Sequence, residues 1–330
     1  MAFDWKSTGA PALSKFWKRA SKVPILVRIL AVLPGGSRAV RLLRFALEVH
    51  PPATYLALSL FWSISLMTLL QRLHGSLMLS VQMIAVSASF FLVLLYLRAI
   101  DEIKDLDYDR RHNPERPLVR GDVGTREVWC FAALIASAVM VMNAFLSARL
   151  ACFLAGDMAY GIGLLLLERY SPGFRLSILL NLALTFPVSA ALNVYAYLYL
   201  LEQGSAPDLQ FVWPLFAAYM AAFLHFEFGR KLKWAHLTAS DENGYANVLG
   251  TEGALAACWV FAVLACGLST LMHLQYGPAA MSWMPWLALF PSLLGSARFL
   301  RRPRADLVLK PYFGAFLLLF FILNLAVALA

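Results

Sequence analysis

Nine stretches of the chain, roughly 53–70, 76–97, 127–147, 150–167, 176–200, 211–228, 252–273, 279–296 and 312–329, are apolar over close to the ~20 residues that a bilayer core demands. Backbone groups in lipid find no water and must bond within their own segment, so each stretch is expected to be a helix. Composition agrees, with 61% of residues hydrophobic and only 14% charged, where a soluble domain carries about 25% charged residues. The expected fold is all-α and integral to a membrane. Residues 51–330 form its nine-helix domain, and residues 1–50 precede it as a basic extension.

The basic residues give an independent check on that count. With the N-terminus cytoplasmic, all of the 28 Lys and Arg except Arg72 and Arg149 fall in inside-facing segments. A missed or invented span in mid-chain would destroy this bias. The same topology puts the C-terminus on the opposite side. The net charge of +9 therefore reflects orientation and anionic headgroups, and nucleic acid is not an expected partner. In the extension, Lys15, Lys18, Arg19, Lys22, Arg28, Arg38, Arg41 and Arg44 alternate with apolar residues. Such a segment suits one or two short helices on the membrane surface, broken near Pro24 and Pro34-Gly35-Gly36. Cys130, Cys152, Cys258 and Cys266 all lie inside expected spans without a C-x-x-C pair, so neither a disulfide framework nor a zinc site is expected.

Against this apolar background, the loop after the second span is acidic: Asp101, Glu102, Asp105, Asp107 and Asp109 follow one another closely. No Pro or Gly interrupts the chain between Gly75 and His112, so the second helix is expected to continue into the loop. At 100° per residue, Asp105, Asp109 and Glu102 then share one arc with Asp101, Arg98 lies on the same side, and Asp107 points away. Like charges at ~6 Å and an effective dielectric of 20 repel by roughly 3 kcal/mol per pair. Such a stack calls for a counter-charge. Oxygen ligands without Cys or His favour a hard cation, and Mg²⁺ binds through one or two carboxylates plus a substrate phosphate. The alternative is a solvated loop in which the acids pair with Lys104, Arg110 and Arg111.

These residues resemble the first signature of the UbiA superfamily of intramembrane prenyltransferases, N-D-x-x-D-x-x-x-D followed by R-P-L and a glycine. Here the signature reads Asp101-Glu102-x-x-Asp105-x-x-x-Asp109, then Arg116-Pro117-Leu118 and Gly121, with Asp101 in place of Asn and Glu102 in place of the first Asp. The resemblance implies a UbiA-like bundle of nine helices with cytoplasmic acidic loops after helices 2 and 6. The second loop, residues 225–250, carries Glu227 at the usual first acid, Arg230 and Lys231 as cations, and Asp241-Glu242 before Gly244. Its acids are spaced more widely than the family's compact second motif, which leaves open which of Glu227, Asp241 and Glu242 touches metal. Lys233 in the same loop fits the inside-positive bias equally well.

The implied activity is Mg²⁺-dependent ionisation of an isoprenyl diphosphate and transfer of the prenyl group to a small acceptor. An aromatic acceptor such as a hydroxybenzoate, homogentisate or naphthoate is the family default, with haem and lipid-phosphate acceptors also found there. The implied metal ligands are Asp101, Glu102, Asp105, Asp109, Glu227, Asp241 and Glu242. Arg116, Arg230 and Lys231 join the catalytic group, and Arg98, Arg169 and Arg175 can reach phosphate. Phe90, Phe91, Tyr195, Phe223 and Trp234 are candidate walls for a carbocation, with ordinary packing as the alternative for each. Asp157, inside the fourth span, calls for an acceptor's polar group or a partner on a neighbouring helix, and Asn181 and Asn193 present the same choice. Two other functions compete. A terpene cyclase would act on the diphosphate alone, and a transporter would show inverted repeats and acids near mid-membrane.

Overall fold

The computed structural model describes residues 38–171, 173, 177–237, 244–301, 303 and 307–330. Arg175, Asp241, Glu242 and most of the basic extension lie outside the described residues. The twelve helices discussed below are α1 (Arg38–Val49), α2 (Pro52–His74), α3 (Gln82–Lys104), α4 (Leu106–His112), α5 (Pro117–Arg120), α6 (Thr125–Leu146), α7 (Ala148–Tyr170), α8 (Ile178–Glu202), α9 (Leu209–Arg230), α10 (Ala246–Tyr276), α11 (Leu289–Arg301) and α12 (Lys310–Leu329).

Among the described residues, eight helices are long and apolar enough to cross a membrane: α2, α3, α6, α7, α8, α9, α10 and α12. The expected span at 279–296 has a different form. It breaks into a 3₁₀ turn at Ala279–Met281, a second 3₁₀ stretch at Met284–Ala288, and α11. Proline is the physical cause. Pro278, Pro285 and Pro291 each remove a backbone donor, so Pro285 opens the second 3₁₀ stretch and Pro291 falls in the first turn of α11, where a missing N–H is tolerated. At about 2.0 Å per 3₁₀ residue and 1.5 Å per α residue, Met284–Arg301 still measures roughly 30 Å.

The chain divides into two units, residues 1–55 with 95–135 and residues 56–94 with 136–330. In the first, α1 buries Phe45, Leu47 and Val49, and Phe45 meets Phe131 of α6 edge-on at 6.1 Å. Arg41 pairs with Glu127, whose other carboxylate oxygen accepts from the Gly124 amide at 2.9 Å and caps the start of α6.

In the second unit, Trp62 is fully buried among Phe90, Phe223 and Phe321, and its indole N–H donates to Asn193 Oδ1 at 2.8 Å. Polar side chains inside the helices bond across to their neighbours, as lipid demands. His225 of α9 reaches the Cys258 carbonyl of α10 and Ser292 Oγ of α11, each at 2.8 Å. Gly229 permits the closest approach, because a Cβ there would come within 2.2 Å of the Phe313 ring on α12. Arg72, one of the two exceptions to the inside-positive pattern, donates from Nε to the Ala328 carbonyl at 2.6 Å. It thereby caps the last turn of α12, where a cation is favourable against the helix dipole.

Candidate active site

The first acidic group is built by α3, α4 and α5. Continuation of the helix into the loop is realised with one bend at Asp105, whose φ of −86° and ψ of 3° separate α3 from α4. The i to i+4 ladder nevertheless runs through, from the Asp105 amide to the Asp101 carbonyl and from the Asp109 amide to the Asp105 carbonyl, both at 2.8 Å. The register therefore survives. Glu102 and Asp109 are buried at 2% and 4% exposure, whereas the Asp107 side chain is 89% exposed and pairs only along its own helix with Arg110.

Glu102 is held asymmetrically. Its Oε1 accepts from both Arg98 and Arg116, while Oε2 is buried with no hydrogen-bond partner among the described residues. Asp109 accepts from Asn113 Nδ2 at 2.6 Å and lies 3.8 Å from Arg116 Nε. Burial raises the Asp109 carboxyl above the usual range, and the Asn113 hydrogen bond and the Arg98 charge partly offset the rise. Lys104 lies 3.7 Å from Asp101 and 3.4 Å from Asp105. Arg98, Lys104 and Arg116 are thus interleaved with Asp101, Glu102, Asp105 and Asp109.

The loop that presents Arg116 is braced from below. Arg116 is the N-cap of α5, Pro117 opens that helix, and Gly121 closes it in the left-handed region at φ 79°. A side chain is strained in that conformation, which accounts for the glycine. Arg120 binds Glu48 of α1 through both carboxylate oxygens, at 3.1 and 3.0 Å, and also holds Asp122. Glu48 carried no sequence signal, because its partner lies seventy-two positions away.

The second group sits at the end of α9. Glu227 Oε2 accepts from Arg230, and Oε1 accepts from Lys231 Nζ at 2.8 Å and from the Tyr245 hydroxyl at 3.1 Å. Tyr245 stacks on Phe228 with ring centres 4.2 Å apart, and Lys231 Nζ lies 5.4 Å above its ring. Burial pushes the Tyr245 phenol up, and the neighbouring Glu227 anion adds to the shift, so the hydroxyl stays a donor. Sequence reading missed Tyr245. Lys233 is half-buried, and burial lowers its ammonium. Trp234 stacks on Phe299 at 4.8 Å.

The remaining candidates are scattered. Tyr195 is fully buried, donating to Asn143 Oδ1 at 2.6 Å with Ser89 Oγ at 3.0 Å, and Phe90 packs against it and Trp62. Phe91 and Phe223 are half-buried. Arg169 is exposed beside Tyr170. Asn181 donates to Glu168 at 3.3 Å. Asp157 is 7% exposed, and its Oδ2 has no hydrogen-bond partner among the described residues.

Among the described residues no three His, Cys, Asp or Glu side chains gather as a ready metal cage. The first group still fits a Mg²⁺-type site, since that ion takes one or two carboxylates and completes its shell with water and phosphate. The buried, unbonded Glu102 Oε2 supplies such an oxygen, with Asp109 on the same arc.

Fold and site together define an all-α, multi-pass integral membrane protein with a buried acidic group where its second long helix leaves the apolar region. No family model matches the chain, and no curated protein matches it. Solved structures do. The chain shares its fold with a UbiA homolog from Aeropyrum pernix K1 (TM-score 0.59, 22% identity, 81% of this chain and 95% of that one). A digeranylgeranylglyceryl phosphate synthase aligns with a TM-score of 0.57 at 15% identity over 87% of this chain and 98% of its own. A UbiA homolog from Archaeoglobus fulgidus bound to DMAPP and Mg²⁺ aligns with a TM-score of 0.56 at 15% identity over 86% and 99%. The fold is the UbiA fold.

Proposed function

We propose that this chain is an intramembrane prenyltransferase of the UbiA superfamily, which ionises an isoprenyl diphosphate with the help of a divalent cation and passes the prenyl group to a small, aromatic acceptor. The supporting observation is the inward-facing Glu102 and Asp109 beside Arg116, in the fold of a homolog solved with DMAPP and Mg²⁺.

Glu102 through Oε2, with Asp109, Asp101 and Asp105, would hold Mg²⁺. The bound ion supplies charge neutralisation for the departing diphosphate. Arg98 and Arg116 hold Glu102 in place and shorten the list of conformations it samples. Arg230 and Lys231 bind phosphate oxygens and stabilise the negative charge that builds there. The bond between the allylic carbon and the diphosphate oxygen breaks with its electron pair leaving on pyrophosphate. The acceptor then forms the new carbon bond and releases one proton. Apolar helix walls keep water from the allylic cation in between. The inside-positive pattern supports an orientation with the N-terminus and both loops on the cytoplasmic face and the C-terminus opposite.

Pyrophosphate release from farnesyl or geranylgeranyl diphosphate, measured in liposomes with Mg²⁺ and a panel of aromatic acceptors, tests this reading. Release that requires an acceptor and stops with EDTA supports transfer. Hydrocarbon or terpene alcohol from the diphosphate alone would make the protein a cyclase instead. Release unchanged in both Asp105→Ala and Asp109→Ala would overturn the enzymatic reading.

A further inference from the structure

A small, open-mouthed pocket lies where the ends of α2, α10 and α12 meet the start of α9, lined by Arg72, Leu73, Leu215, His273, Tyr276 and Val327 among others. Leu215 is about four turns of α9 from Arg230, roughly 22 Å, so the pocket is separate from the second loop. Among the described residues, no acid lines it.

Three of its polar side chains have bonding capacity to spare. Arg72 spends Nε on the Ala328 carbonyl at 2.6 Å, and its Nη1 and Nη2 have no partner among the described residues. The Tyr276 hydroxyl has none there either, although its ring is held edge-on against Phe211 at 6.2 Å. His273 is 2% exposed, and its neighbours fix which nitrogen carries the proton. Asn324 Nδ2 donates to the Phe320 carbonyl at 2.8 Å, so Asn324 Oδ1 is an acceptor, shared by Ser269 Oγ and by His273 Nε2, the latter at 2.9 Å. Nε2 is therefore the N–H, and Nδ1 of the neutral ring is an acceptor with no partner among the described residues. Gly277 keeps that atom uncovered, because a Cβ at 277 would stand 3.4 Å from it.

Surplus guanidinium donors beside a buried acceptor call for a ligand that carries both an anion and a hydrogen-bond donor. Where helices leave the apolar region, a phospholipid has that pattern: a phosphodiester for Arg72, a headgroup N–H or O–H for His273 Nδ1, and acyl chains for Leu73, Leu215 and Val327. The same ligand answers a sequence anomaly. Arg72 is one of two basic residues outside the inside-positive pattern, and a phosphate would give its charge the partner that the described residues do not supply.

We propose that this pocket binds a membrane phospholipid whose headgroup carries a hydrogen-bond donor, phosphatidylethanolamine or phosphatidylglycerol, with Arg72 on the phosphate and His273 and Tyr276 on the headgroup. The proposal is independent of prenyl transfer, since neither acidic loop takes part.

The test uses the purified full-length protein, stripped of lipid in detergent, with dioleoyl phosphatidylethanolamine, phosphatidylglycerol or phosphatidylcholine added singly and bound lipid counted by native mass spectrometry. The wild type is expected to hold the first two at least about fivefold more tightly than phosphatidylcholine, whose trimethylammonium has no N–H to give. Arg72→Gln should weaken phosphatidylethanolamine binding by about tenfold, because charge-assisted contacts to phosphate are lost. Arg72 also caps α12, so two further variants leave it in place. Tyr276→Phe removes one hydroxyl, and Gly277→Ala sets a methyl beside His273 Nδ1; each should cut the preference for phosphatidylethanolamine over phosphatidylcholine by at least about threefold. The melting midpoint of lipid-free Tyr276→Phe should stay within about 2 °C of wild type, which separates lost recognition from lost folding. Equal retention of all three lipids by the wild type, or wild-type preference in both Tyr276→Phe and Gly277→Ala, overturns the proposal. Binding of glycerophosphoethanolamine as tightly as the whole lipid would assign the pocket to a soluble phosphodiester and overturn it as well.

Discussion

In the first loop Glu102 offers one oxygen to Arg98 and Arg116 while the other has no partner among the described residues; in the second, Glu227 gives both oxygens away. The two loops use the same residue types and the same local device, a carboxylate with a basic residue one turn along the helix. They differ in balance. Among the described residues the first group keeps a buried carboxylate oxygen without a partner, whereas both oxygens of Glu227 in the second are taken. Acidic residues in a membrane-edge loop therefore do not by themselves mark a metal site. The count of partners around each oxygen decides what the group attracts.

The largest expected effect tests the first half of this comparison. Asp109→Ala removes a buried carboxylate from the arc that also holds Glu102, takes away Asn113's acceptor, and leaves Arg116 with Glu102 as its remaining carboxylate partner. Pyrophosphate release should fall by about a hundredfold or more, since a metal and its charge stabilisation contribute several kcal/mol to such a transition state. A fall of less than about threefold at saturating Mg²⁺ would mean that the first group is only a solvated loop paired with its own cations.

Next in size is a packing effect confined to the second loop. Gly229 lies between Glu227 and Arg230, and any Cβ there meets the Phe313 ring far inside contact distance. Gly229→Ala should cost roughly 1–3 kcal/mol, the usual range for overpacking a tight contact. A thermal melt in detergent would show a lowered midpoint, and pyrophosphate binding would weaken with it. An unchanged midpoint would show that α9 and α12 can part without consequence, which would undercut the idea that the Glu227 end of α9 is rigid.

These two sites also show what the sequence could and could not reveal. Spans were legible because they depend on periodicity within one helix, the apolar runs predicting α2, α3, α6 to α10 and α12; the 100° rule set Asp107 apart from Asp101, Glu102, Asp105 and Asp109, of which the structure buries Glu102 and Asp109 and leaves the Asp101 and Asp105 side chains 48% and 38% exposed. Pro278, Pro285 and Pro291 were visible in the sequence, but a hydropathy window averages over them, so the broken segment before α11 read as one helix. Gly229, Glu48 and Tyr245 gave no signal, because each acquires its meaning from a residue distant in sequence: Phe313, Arg120 and Glu227. Asp157 is visible in the sequence as an acid in an apolar span, and the structure adds that its Oδ2 is buried and has no partner among the described residues.

A smaller effect separates the supports of the two loops. The first loop is braced by a surface pair, Glu48 with Arg120, whose side chains are each about a third exposed (36% and 34%). Such pairs are screened by solvent, and Glu48→Gln should cost less than about 1 kcal/mol of stability. Its effect should appear instead as a modest rise in the KM for the prenyl diphosphate with little change in kcat, because α5 carries Arg116 and would sample more positions. The charge-swapped pair Glu48→Arg with Arg120→Glu should restore KM if the brace acts through this contact. Failure of the swap, with KM still raised, would place the brace elsewhere in α1.

The smallest expected effect is the strictest check on the register. Asp107 belongs to the same acidic run as Asp105 and Asp109, and composition alone cannot tell it from them. Its side chain points outward and pairs with Arg110, and its backbone carbonyl accepts from Arg111, both on its own helix. Asp107→Asn removes a charge from the loop while keeping its shape. If the run acted through its overall negative charge, pyrophosphate release would drop with this variant much as it does with Asp109→Ala. If inward carboxylates do the work, stability should stay within about 0.5 kcal/mol and turnover should match the wild type. Parity of Asp107→Asn with wild type, measured in the same liposomes in which Asp109→Ala is inactive, would tie the chemistry to direction along the helix and to nothing coarser.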